Sequence, residues 1–230
     1  MRRAATGELG APVLVACGLA FEADIAAGPG LLVVRGPGPL LVGRRLDALL
    51  AEHAASGILS FGCAGALDPT LRPGACVVAS CVQTPLGPVD ADPAWTRALL
   101  ARLPQARLGM LAGLDAPLAE RAAKARLWQG GGALAVDMES HAAALAARRH
   151  GLPFAACRVV LDPAWRSLPP CALAAMRADG GTDLAALLHS LARAPGQLVP
   201  LAALALDAWR ARRALRRVRA RLGPGLGWPG

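Results

Sequence analysis

Tyrosine is absent from the 230 residues and aromatic side chains make up only 3% of them. Any core must therefore be built from leucine, alanine and valine, with little help from large rings. No stretch reaches the roughly 18 uninterrupted apolar residues that a bilayer-crossing helix needs, so the chain reads as soluble or peripheral. The six cysteines, Cys17, Cys63, Cys76, Cys81, Cys157 and Cys171, form no CxxC pair and have no histidine at zinc spacing. No metal site is expected, and the cysteines read as small core side chains in a reducing compartment.

What is present is 54% hydrophobic residues, enough for one substantial core and a single catalytic unit. The net charge of +9 would fit nucleic acid, but seven arginines are confined to Arg210–Arg221. The rest of the chain is close to balanced and no aromatic platform accompanies the arginines, so no nucleic-acid partner is expected. Met1, Arg2 and Arg3 ahead of the apolar run Ala11–Phe21 imitate a secretory signal. Glu8 and Pro12 interrupt that pattern, and the run is better explained as a first buried strand in a cytoplasmic protein.

Continuous aliphatic runs bounded by Gly and Pro recur at Val13–Cys17, Leu31–Val34, Ile58–Phe61, Cys76–Val82, Leu108–Leu111, Leu134–Val136 and Phe154–Leu161. Unbroken apolar runs favour strands covered on both faces. Helical patterns lie between them at Leu41–Ala54, Pro93–Leu103, Pro117–Gln129 and Met138–His150. This alternation predicts an α/β fold, a mixed and largely buried central sheet flanked by helices in three α/β/α layers. Ala194-Pro195-Gly196 breaks a helix and divides a catalytic domain, 1–196, from a C-terminal segment, 197–230. In that segment Leu201, Leu204, Ala208, Ala211, Leu215, Val218 and Leu222 recur at spacings of three and four, an apolar stripe on a helix rich in arginine.

Three segments can carry chemistry. In Ala135-Val136-Asp137-Met138-Glu139-Ser140-His141 a strand gives way to an alanine-rich helix, where a carboxylate can either cap the helix or accept hydrogen bonds from a vicinal diol. Spacing does not choose between the two. Arg158-Val159-Val160-Leu161-Asp162-Pro163 ends a strand on an acid fixed by proline, either an ordinary turn residue or a buried general acid. Ser60–Pro69 reads as a small-residue loop after a strand, through which backbone can approach a ligand. Cys63 lacks the glycine two residues earlier that a nucleophile elbow needs, and the segment lacks the Gly-Lys-Ser/Thr ending of a P-loop.

Together, Gly62-Cys63-Ala64-Gly65-Ala66-Leu67, Val136-Asp137-Met138-Glu139-Ser140 and Arg158-Val159-Val160-Leu161-Asp162 resemble the three signature segments of the nucleoside phosphorylase and methylthioadenosine/S-adenosylhomocysteine nucleosidase superfamily, in the same order over roughly residues 11 to 195. The resemblance implies a homo-oligomer acting on a purine nucleoside without a cofactor. It assigns Cys63, Ala64 and Gly65 to the ribose and base pocket, Met138 and Glu139 to the sugar, Asp162 to the purine and Glu22 to water activation. Ala66 and Ala75 depart from the family pattern, and Glu22 follows its glycine one residue sooner than in the nucleosidases. No Gly-Asp-Pro-x-Arg segment appears, so phosphate as co-substrate is left open, with Arg35 beside Gly36 and Gly38 as the candidate to bind it.

The segments from Leu168-Pro169-Pro170 to Arg177-Ala178-Asp179-Gly180 and from Leu191 to Leu198 resemble the hopanoid-associated branch. That resemblance implies adenosylhopane as the nucleoside, with adenine and a ribosyl hopanoid as products. The arginine-rich helix would then either lie on anionic lipid at the inner face of the membrane or dock on the domain. A soluble methylthioadenosine/S-adenosylhomocysteine nucleosidase and a non-catalytic nucleoside-binding protein are the competing readings.

Overall fold

The computed structural model describes residues 10–36, 38–175, 177, 181 and 183–230. The basic start Met1–Arg3, Glu8, Ala178, Asp179 and Gly180 lie outside the described residues. Eight strands form a mixed sheet. Strands β1 (Val13–Cys17), β2 (Leu31–Arg35) and β3 (Gly57–Ala66) run parallel, with β1 in the middle. β8 (Phe154–Asp162) continues parallel on the other side of β3, and β4 (Cys76–Thr84) pairs antiparallel with β8. β5 (Gly87–Asp90) forms a hairpin with β4, while β6 (Arg107–Gly113) lies parallel to β4 on its other side. Short β7 (Ala135–Asp137) pairs with β6 and also with the far end of β3. The path β3-β8-β4-β6-β7 therefore returns to β3, and the sheet curls into a ring at one end.

Helices cover both faces, as the unbroken apolar strands require. On one face α2 (Pro39–Glu52) and α5 (Ser140–His150) bury Val42, Leu46 and a run of alanines against Leu14, Ile58 and Val160. Alanine side chains let α5 come close to the sheet, and Ala143, Ala144 and Ala146 are fully enclosed. On the other face α1 (Ala20–Ala26), α3 (Pro93–Arg102) and α8 (Leu198–Leu222) close a second core around Val15, Leu59, Trp95, Leu99 and Leu215. Three further helices, α4 (Arg121–Gly131), α6 (Pro170–Ala174) and α7 (Leu184–Arg193), complete the chain.

Two expectations change. The small-residue segment after Phe61 is not a loop, because β3 continues through Gly62–Ala66. Pairing with β8 on one side and β7 on the other supplies the ladder bonds that hold it extended. The apolar stripe of α8 is also spoken for: Ala211, Leu215, Val218 and Leu222 are buried in the second core. For this half of the helix the docked reading is the one observed. The exposed apolar side chains of α8 are a different set, Leu198, Val199, Leu206 and Trp209. No helix among the described residues is long and apolar enough to cross a membrane.

Candidate active site

The curled end of the sheet encloses a cavity of about 160 Å³. Its wall includes Glu22, Cys63, Ala64, Gly65, Met138, Glu139 and Asp162, which sequence had placed in one site. Arg35 is not among them. It is exposed beside Arg45 on α2, where its carbonyl accepts from that guanidinium, so the structure does not bring it to the cavity.

The β7–α5 junction assigns different work to its two acids. Asp137 takes the cap: its carboxylate accepts from Glu139 N at 2.8 Å and Ser140 N at 2.7 Å, and from the Ser140 hydroxyl. Glu139 makes no cap hydrogen bond and turns into the cavity. There its Oε1 accepts from Gly38 N at 3.1 Å, and its Oε2 lies 3.7 Å from Arg158 Nη1. Burial raises the Glu139 carboxyl to about 7 against the pull of Arg158, with Asp137 and Glu22 adding to the rise.

Glu22 is equally enclosed. Its Oε2 accepts from Gly18 N and Leu19 N, both at 2.9 Å, and its Oε1 from Cys63 N at 2.8 Å. Burial raises its pKa, while Arg158 and the three amides oppose the rise. The small residues have a steric task here: a Cβ on Gly62 would meet the Glu22 carboxyl at 2.7 Å.

Arg158, to which no role could be given from sequence, is the hub of the site. It is fully buried on β8, with Nε 3.2 Å from Asp137 Oδ2, a hydrogen bond to Ser60 and another to Ser140. Burial alone would lower its pKa, but the carboxylates of Asp137, Glu139 and Glu22 outweigh that and hold the guanidinium charged. The sign that could have found it was a charged residue inside an otherwise apolar run, Phe154–Leu161, where an unpaired cation is untenable.

Asp162 ends β8 in the wall of the same cavity. The β3–β8 register skips one residue, pairing Ala64 with Val160 and Gly65 with Asp162, a bulge that aims the acid at the cavity. Gly65 leaves it room, since a Cβ there would stand 3.2 Å from Oδ2. The carboxylate is ion-paired with Lys124 of α4, a fully buried residue that sequence reasoning did not single out. Asp162 is therefore not the isolated buried acid that sequence had led us to expect. The Asp115 carboxylate meets His141 Nε2 at 3.0 Å.

Three buried carboxyl groups, Glu22, Glu139 and Asp162, line one small cavity, with the Arg158 cation acting on the first two, a set that can stabilise positive charge and hand over a proton. Among the described residues no group of His, Cys, Asp and Glu could hold a metal ion.

Comparison with known proteins agrees with this fold. The profile described as the phosphorylase superfamily matches residues 3–189. No curated protein matches the chain in sequence. Among solved structures, a Campylobacter jejuni 5′-methylthioadenosine/S-adenosylhomocysteine nucleosidase superposes with a TM-score of 0.65 at 15% identity, over 92% of this chain and 98% of that one. A Streptococcus pyogenes S-adenosylhomocysteine nucleosidase gives 0.65 at 17% identity, over 95% and 100%. A Helicobacter pylori futalosine hydrolase gives 0.59 at 15% identity, over 66% and 88%. At such identities the likeness is one of fold.

Proposed function

The chain belongs to the phosphorylase superfamily, and on that footing we propose that it is an enzyme cleaving the C1′–N9 bond of a purine nucleoside. The observation that carries the reading is that Glu139 and Asp162, on different elements, face one cavity with different partners, Arg158 for the first and Lys124 for the second. Bond cleavage builds positive charge on the sugar and negative charge on the base, and a catalyst must stabilise both. Ionised Glu139 would hold the sugar hydroxyls and stabilise the oxocarbenium-like centre by charge. Asp162 would pass a proton to N7, so that the base departs neutral.

Water is the acceptor this site favours. The amides of Gly18, Leu19 and Cys63 form a cluster of donors suited to an anion, but the Glu22 carboxylate already occupies all three. An entering phosphate would also meet Glu22 and Glu139 together, with Arg35 outside the cavity. Glu22 is instead placed to take a proton from water attacking C1′.

For the nucleoside we favour adenosylhopane, with adenine and a ribosyl hopanoid as products. Leu168, within the segment that resembles the hopanoid-associated branch, lines the cavity, and Gln197 at the start of α8 accepts from Cys171 N at 2.7 Å, tying α8 to that segment. A lipid-linked substrate would call for contact with a bilayer. The outer side of α8 offers it: Val199 is 78% exposed and Trp209 57%, with Arg210, Arg213, Arg216 and Arg217 exposed beyond them. A soluble methylthioadenosine/S-adenosylhomocysteine nucleosidase is the second reading, favoured by fold likeness to enzymes so named. A binding protein without turnover would have no use for the Lys124–Asp162 pair.

The test is to incubate the protein with adenosine and with 5′-deoxyadenosine, with and without phosphate, and to assay adenine and the sugar product. Adenine release that is indifferent to phosphate is expected. Release only with phosphate would overturn hydrolysis, and no release from these or from adenosylhopane would overturn the enzyme reading.

A further inference from the structure

Lys124 is the chain's sole lysine: of the 25 lysines and arginines, every other one is arginine. This single lysine is also fully buried, although lysine is among the residues least often enclosed. Its ammonium has three protons and three acceptors, Asp162 Oδ2, the Arg166 carbonyl at 3.0 Å and the Pro163 carbonyl at 3.3 Å. Two of those acceptors are backbone carbonyls, which hold a proton in place but do not take it. The third is the carboxylate that faces the cavity. Only one of the three protons has somewhere to go.

We propose that Lys124 is the source of the proton that Asp162 delivers to the leaving purine. The inference rests on the reading of Asp162 as the acid of a nucleoside-cleaving site. In the resting pair the ammonium faces a carboxylate. As the C1′–N9 electron pair moves onto the base, Asp162 passes a proton to N7 and receives one from Lys124 Nζ. Asp162 ends as a carboxylate, Lys124 as a neutral amine still donating to the two carbonyls, and the base leaves uncharged. Water adds to C1′ and yields its proton to Glu22, which releases it to solvent once the products leave, while solvent returns a proton to Lys124 through Asp162, so the hydrolysis balances. Arginine could pair with Asp162 equally well but does not give up its proton, which is the physical reason for lysine at this one place. Lys124 acts only through Asp162 and does not line the cavity.

The experiment compares wild type, Lys124→Met and Lys124→Arg on two substrates, a purine nucleoside and 4-nitrophenyl β-riboside, whose nitrophenolate needs no proton to leave. Both variants should lower the nucleoside rate relative to the nitrophenyl rate by at least about a hundredfold near pH 7.5, the low end of the usual range for a proton-transfer group. In Lys124→Met the nucleoside rate should recover as the pH is lowered and Asp162 becomes protonated from solvent. Full nucleoside activity in Lys124→Arg, or an equal loss on both substrates at every pH, would overturn the proposal while leaving the assigned function standing. A wild type that cleaves neither substrate would overturn both.

Discussion

The backbone of Gly18 passes so close to Glu139 that a Cβ added to the glycine would stand 2.7 Å from Oε1 and 2.8 Å from the carboxyl carbon. The end of β1 thus sets the position of an acid that follows it by more than a hundred residues. Gly18→Ala must displace the Glu139 carboxylate, which cannot retreat into Arg158. We expect kcat/KM to fall by about a hundredfold, the scale on which small misplacements near reacting atoms act. Circular dichroism should show the fold retained, and steady-state kinetics unchanged from wild type would contradict the assignment of Glu139 to the sugar.

Glu139 also sets a pH dependence. Its carboxyl is raised to about 7, and in the proposed mechanism only the ionised form stabilises the sugar cation. On the acid side of about pH 7, kcat/KM should fall about tenfold per pH unit, as expected for one required deprotonated group. The folded state holds this proton where the unfolded chain releases it, so this group's contribution to stability falls as pH rises from 4.5 to about 7. Glu139→Gln, which keeps an acceptor for Gly38 N, should lose that dependence in thermal unfolding measured at pH 5 and pH 8. An unfolding profile as steep as that of wild type would show that Glu139 is not the group responsible.

Glu22→Gln should leave the three amides of Gly18, Leu19 and Cys63 with an acceptor for only part of their number and remove the base for water. Hydrolysis should drop by at least about a hundredfold, with sugar hydroxyl binding little changed in KM. Added phosphate should not restore turnover in this variant. Rescue by phosphate would mean that the carboxylate merely stands in a phosphate site.

Contact with a bilayer depends on the outer side of α8, not on the buried stripe. Removing residues after Gly196 is a poor test, since it would strip Leu215 and Val218 from the core. Val199→Asp with Trp209→Asp is the better one, because both side chains are exposed. Co-sedimentation with phosphatidylglycerol vesicles should be lost in the double variant, while adenosine cleavage in solution continues. Equal sedimentation of both proteins, or of wild type with phosphatidylcholine vesicles alone, would contradict the anionic-lipid reading.

How far the sequence could be read depended on whether the signal was local. Unbroken runs such as Val13–Cys17 and Phe154–Leu161 became β1 and β8 almost to the residue, because a strand covered on both faces leaves an unambiguous apolar record. The three ordered motifs supplied six of the eight candidate residues, and these line one cavity together with Glu22; Arg35 does not. Ambiguity at the β7–α5 junction was real, and only the fold separated Asp137, which caps, from Glu139, which does not. What could not be read was pairing between distant elements. Lys124 sits between Ala123 and Ala125 on a helix of mixed character, and nothing near it in the chain announces Asp162 as its partner. The continuation of β3 through Gly62 and Gly65 was hidden for a similar reason. Glycine is a poor strand former in isolation, and here it is held extended by neighbours on both sides and required by the carboxyl groups that crowd against it.

The central claim is that Glu139 and Asp162 serve the two ends of one breaking bond. Its most direct test is the rate of adenine release from 5′-deoxyadenosine by wild type and by Asp162→Asn, with 4-nitrophenyl β-riboside as the paired substrate. The account predicts a fall of at least about a hundredfold on the nucleoside and a much smaller one on the nitrophenyl riboside. Adenine released by Asp162→Asn as fast as by wild type would contradict it.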